Sequence, residues 1–165
     1  MGNILILLGT KRYPDSNEYE RFIYDNGGSL NGYTANDHSL YYFNHLNPNQ
    51  LLGGLDRFSR FFYEPFFDPS CVDRERNAVH EEYKKNIESD GWRMLHVQKE
   101  LADPRHPISQ FNTGNLETMT FGRDYLIDWF NKHYSSEKMN LVVLGMGIWI
   151  IALLIIRLVR KARSF

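Results

Sequence analysis

The stretch ERNAVHEEYKKN holds the residues whose types and spacing best suit chemistry. Glu75, Val79 and Glu82 stand at i, i+4 and i+7, so a helix would set them on one face. Two carboxylates flanking a valine suit a solvated stripe on a charged helix. On a buried face they would need a cation or hydrogen-bond donors beside them. Spacing alone leaves both readings open. His80 and Glu81 add further metal-ligand types next to Glu82. Successive helical residues diverge by about 100°, so His80 and Glu82 cannot close a metal site by themselves. Zinc in a catalytic site takes about three protein ligands, often two histidines and a carboxylate. The histidines are His38, His45, His80, His96, His106 and His133, and none forms His-Glu-x-x-His or the inverted His-x-x-Glu-His.

Other chemistries find less support. There is no Gly-x-Ser-x-Gly elbow and no glycine-rich phosphate loop. Cys71 precedes a helical pattern, which can lower a thiol pKa, but no histidine is placed beside it. A lone cysteine excludes an internal disulfide and fits a reducing compartment, so a cytoplasmic location is expected. The net charge is -1, with no basic field, so nucleic acid is not an expected partner.

These residues need elements to position them. Asp15-Ser-Asn-Glu18 reads as a capping box, with Asp15 as N-cap of a helix to about Asp25. Asn26-Gly27-Gly28 stops that helix. SLNGYTAND and HSLYYFNHL read as two strands joined near Asn36-Asp37. Asn47-Pro48-Asn49 starts a helix in which Leu51, Leu55, Phe58, Phe61 and Phe62 form a core stripe, ended by Pro65. The longest helical pattern runs from Asp73 to about Asp103, with Gly91 as a bend or break. Pro104 and Pro107 bracket a loop, and a last helix spans about Arg123 to His133. MNLVVLG, Met139 to Gly145, reads as a buried strand if the domain is complete. The fold class expected is α+β, helices packed on a mostly antiparallel sheet. A chain of 165 residues can bury such a core.

Four separated segments follow one another in order: LLGTKRYPDSNEYERF, GGSLNGYTANDHSLYYF, LDRFSRFFYEPFFDPSCVDRERNAVHEEYKKN and DPRHPISQFNTGN. Together they closely resemble the insulin-degrading-enzyme branch of the insulinase (pitrilysin) metallopeptidases, from about Leu7 to Gly145. The resemblance implies a partial N-terminal peptidase domain over residues 1–145, zinc as the family's cofactor, and peptides as its substrates. In that family an inverted motif, His-x-x-Glu-His, lies just ahead of a Phe-Leu-Gly-Thr-like stretch. Its histidines bind zinc, its glutamate activates water, and a later helix supplies a third ligand. By resemblance Glu82 matches that distal ligand, and Glu75 matches the acidic residue supporting it. Counting back from Gly9 puts Ile4 at the second histidine and Asn3 at the general base. The first histidine would precede Met1. One ligand of three remains and the base is missing. Tight zinc binding and peptide hydrolysis are therefore not expected of this chain alone. The resemblance also gives Ser29, Leu30, Asn31, Gly32 and Tyr33 to a strand that pairs with extended peptide backbone.

The C-terminus raises a conflict. The apolar span Leu141 to Val159 has 19 residues, roughly 28 Å as a helix, and Arg160, Lys161 and Arg163 follow it. A membrane segment over 141–159 would leave those cations on the cytoplasmic side. If Asn140 to Gly145 instead join the sheet, Met146 to Ile156 is too short to span. Residues 146–165 fall outside the family pattern and are expected as an apolar and basic tail, with an apolar C-terminal helix. Both ends break off inside family features, an arrangement expected of a truncated or misassembled gene product. A second functional expectation, of another class, is a tail-anchored, non-catalytic peptide-binding or regulatory protein. A third has Glu82 holding zinc with an unexpected histidine such as His80.

Overall fold

The computed structural model describes residues 9–35, 37–44, 47–109 and 113–145. Helix α1 spans Glu18–Asp25 and buries Tyr19 and Ile23, one turn apart. Its start corrects the expected capping box. Asn17 holds the N-cap position, and no side chain caps the helix. The Asp15 carboxylate is occupied elsewhere: Oδ1 accepts from the Asn17 amide at 2.9 Å, and Oδ2 pairs with Arg21. Glu18 reaches away from the helix end to Arg57 Nε at 2.7 Å. The stop is as expected. Gly27 takes φ +74, its amide donates to Tyr24 at 2.9 Å, and Gly28 donates to Ile23 at 2.9 Å.

Strands β1 (Ser29–Thr34) and β2 (Ser39–Asn44) form an antiparallel hairpin. Leu30, Tyr41 and Phe43 turn toward the core, while Tyr33, Leu40 and Tyr42 are exposed on the opposite face. The Tyr41 and Tyr134 hydroxyls meet at 2.6 Å and tie β2 to the last helix. This pair is the whole sheet among the described residues. The buried strand expected of a complete domain at Met139 to Gly145 is not formed here, and Val142 and Leu144 are almost fully exposed. A strand needs a neighbour for its amides and carbonyls, and no described residue supplies one there.

Asn47 caps a short turn of 3-10 helix, accepting from the Asn49 amide at 3.1 Å, and α2 (Leu51–Arg60) follows. Leu55, Phe58 and Phe61 are buried, while Leu51 and Phe62 are half-buried. The helix ends at Arg60, ahead of Pro65, in a turn closed by Phe62 and Glu64 amides on Ser59 and Arg60 carbonyls. Pro65 forms a β-bridge with Thr10 instead.

The long helical pattern divides in two. Helix α3 spans Pro69–Ile87, with Asp68 as N-cap accepting from Ser70 at 2.8 Å, and α4 spans Asp90–Glu100. The break falls at Glu88-Ser89, and Gly91 lies inside the first turn of α4. Helix α5 spans Arg123–His133, the expected bounds. The core gathers Tyr19, Ile23, Phe58, Phe61, Phe67, Cys71, Val72, Leu126 and Phe130. It draws on α1, α2, α5, the segment after α2 and the first turn of α3, and on nothing from α4.

No helix of the described residues is long and apolar enough to cross a membrane. The membrane segment expected over 141–159 falls mainly on residues 146–165, as does the expected C-terminal helix. Residues 146–165 lie outside the described residues, and 141–145 form no helix.

Candidate functional site

Helix α3 carries the candidate metal ligands. Its N-terminal turns are pinned by the Asp68 cap and by Cys71 and Val72 in the core. Glu75 follows on the next turn and is 7% exposed. Burial raises its pKa, and Arg74 pulls the other way through a contact of 3.5 Å from Nε to Oε1. Glu82 lies seven residues on, about 10 Å along the axis, and is exposed. The two carboxylates share a face and not an environment. The core reaches only the first of them.

His80 does not join Glu82. Its ring lies nearly parallel to Tyr83, with centroids 6.3 Å apart, and its buried Nδ1 has no hydrogen-bond partner among the described residues. Glu81 pairs with Lys84 at 2.7 Å. Among the described residues no three His, Cys, Asp or Glu side chains come together to hold a metal ion. The described residues therefore do not by themselves fit a zinc site. Asn3 and Ile4 lie outside the described residues.

The strand given to peptide binding is formed. Ser29, Leu30, Asn31, Gly32 and Tyr33 make up most of β1, which pairs with β2 along one edge. No described residue pairs with its other edge. The Ser29 amide is taken by Asn44 Oδ1 at 2.7 Å, and the Gly32 amide by Asn31 Oδ1 at 2.7 Å.

A cavity of about 240 Å³ opens between α3 and α4, lined by Tyr83, Ile87, Trp92, Leu95 and the buried Lys99 among others. Sequence reasoning missed it. Its signal was the i, i+3, i+7 spacing of Trp92, Leu95 and Lys99, which sets a lysine on the inward face of α4.

The family model for the insulinases, peptidase family M16, matches residues 3–105, well over half of the chain. The chain belongs to this family. Its M16 relatives include the insulin-degrading enzyme of Homo sapiens, 42% identical over 149 residues, and the A-factor-processing enzyme of Saccharomyces cerevisiae, 40% identical over the same length. Each alignment covers 86% of this chain and 14% of the relative, so the chain spans about a seventh of the length of these proteins. A Schizosaccharomyces pombe relative, 41% identical, carries zinc protease in its name, in keeping with zinc in the family. The crystal structure of pitrilysin matches at a TM-score of 0.86 and 30% identity, covering 96% of this chain and 17% of that one. The helices and hairpin are thus those of an insulinase-type N-terminal domain. The family match begins at Asn3, so the Asn3-Ile4 positions fall inside it.

Proposed function

We propose that this chain is an insulinase-type module that binds extended peptide segments along β1 and does not hydrolyse them by itself. The observation that carries the reading is that, among the described residues, β1 pairs on one edge only, which leaves its outer edge to strand addition. Main-chain hydrogen bonds would supply affinity there, and the exposed Tyr33 would meet a peptide side chain.

The lack of hydrolysis rests on residue types. Asn3 stands where the family's general base is expected, and an amide takes no proton from water at neutral pH. Ile4 stands at a histidine position and offers no ligand atom. Glu82 would be the one remaining zinc ligand, with Glu75 behind it. A single exposed carboxylate holds zinc weakly.

The test is direct. The chain is equilibrated with excess zinc, desalted, and analysed for metal and for cleavage of an internally quenched peptide. Expected are well under one zinc per chain, no cleavage, and saturable binding of an uncleaved peptide. One zinc per chain together with cleavage would overturn the reading.

A further inference from the structure

We propose that Asn31 guards the open edge of β1, its side chain holding the Gly32 amide that an incoming peptide must use; this rests on the peptide reading above. The hairpin register fixes which amides face outward. The Ala35 amide donates to the His38 carbonyl at 2.8 Å, so Ala35 and His38 are a hydrogen-bonded pair. Hydrogen-bonded and non-hydrogen-bonded pairs alternate along an antiparallel ladder. From the pairing of Tyr33 with Leu40 and Asn31 with Tyr42, those two pairs are hydrogen-bonded. The pairs Thr34 with Ser39, Gly32 with Tyr41 and Leu30 with Phe43 are not. The amides of Leu30, Gly32 and Thr34 therefore point away from β2, along the edge that a peptide would extend.

Gly32 is the middle donor of those three. Its N–H donates to Asn31 Oδ1 at 2.7 Å, a contact within the edge itself. An amide has one proton, so a peptide carbonyl and the Asn31 side chain compete for it. Binding then exchanges one hydrogen bond for another at this position, where an unguarded edge would gain one. The guard also gives the edge what other edge strands obtain from charge or proline. The sequence from Ser29 to Thr34 contains neither.

Asn31→Ala removes the competing oxygen. It should tighten peptide binding by about three- to ten-fold, the worth of one net hydrogen bond. Asn31→Asp supplies a charged and stronger acceptor and should weaken binding. A mere loss of fold would move both variants the same way.

The probe is a neutral peptide of alternating Thr and Val, blocked at both ends and labelled for anisotropy. Gly32 amide exchange is followed in the free chain by NMR. Expected are a protected Gly32 amide, protection lost in Asn31→Ala and kept in Asn31→Asp, and affinities in the order Ala, Asn, Asp. An unprotected Gly32 amide in the parent chain overturns the guard, whatever the peptide does. So does equal affinity of the three forms. A protected Gly32 amide freed by Asn31→Ala, with no form binding peptide, would uphold the side-chain contact and sink the peptide reading instead.

Discussion

The Tyr13 hydroxyl donates to Asp56 Oδ2 at 2.9 Å, joining the loop after Gly9 to the middle of α2. Asp56 also accepts from Arg60 at 2.9 and 3.1 Å, and Arg57 lies over the Tyr13 ring at 4.6 Å. Backbone bonds complete the corner: Lys11 donates to Glu64 at 3.1 Å, and Phe66 donates to Gly9 at 3.1 Å. Tyr13→Phe keeps the ring and removes the bond to Asp56. Arg60 still serves the carboxylate, so no buried charge is stranded. The expected loss is about 1 kcal/mol, a Tm lower by about 2–4 °C for a chain of this size. Thermal unfolding followed by circular dichroism reads it directly.

Gly9 belongs to the same corner. Its φ is +87, and a Cβ there would stand 2.8 Å from the Pro14 carbonyl oxygen. Gly9→Ala meets both the left-handed backbone and a rigid contact. A cost of about 1–3 kcal/mol is expected, seen as a lower urea midpoint with an unchanged slope. An unchanged midpoint would mean that the corner is looser than its hydrogen bonds indicate.

Glu75 sets a pH dependence. Burial lifts its folded pKa against the pull of Arg74. The native state then keeps a proton that the unfolded chain has already lost. Stability from this group is present at low pH and is lost as pH rises from the ordinary glutamate value, about 4.3, through the raised one. Neutral pH is its unfavourable side. Glu75→Gln should therefore be the more stable form at pH 7, with the difference closing toward pH 4. Asp56 acts with the opposite sign. Burial raises it, but the bonds from Arg60 and Tyr13 outweigh burial and hold it below its usual range. Its contribution fades as pH falls through that lowered value. Melting curves of the parent chain and Glu75→Gln across pH 3–8 separate the two.

Local signals were read well where local physics decides. Helix α5 has the expected bounds, with Leu126 and Phe130 buried one turn apart as helical spacing requires. The stop at Gly27-Gly28 was legible because a left-handed residue there needs glycine. The start of α1 was not, since Asp15 and Glu18 spend their carboxylates on Arg21 and Arg57. The Glu18–Arg57 pair spans 39 residues and leaves no local trace. The candidate ligands divide in the same way. The common face of Glu75 and Glu82 followed from helical spacing, and their different burial did not. That depends on where the aromatic core ends along α3. The guard at Asn31 needed the register of the hairpin.

Helix α3 is therefore a cantilever. Its root, Cys71 and Val72, is set in the core, and its outer half packs against α4, which contributes nothing to that core. Glu82 rides on the overhanging span. Any ligand reaching Glu82 would feel the stiffness of that beam rather than of the whole domain, and amide exchange along α3 should quicken from root to tip.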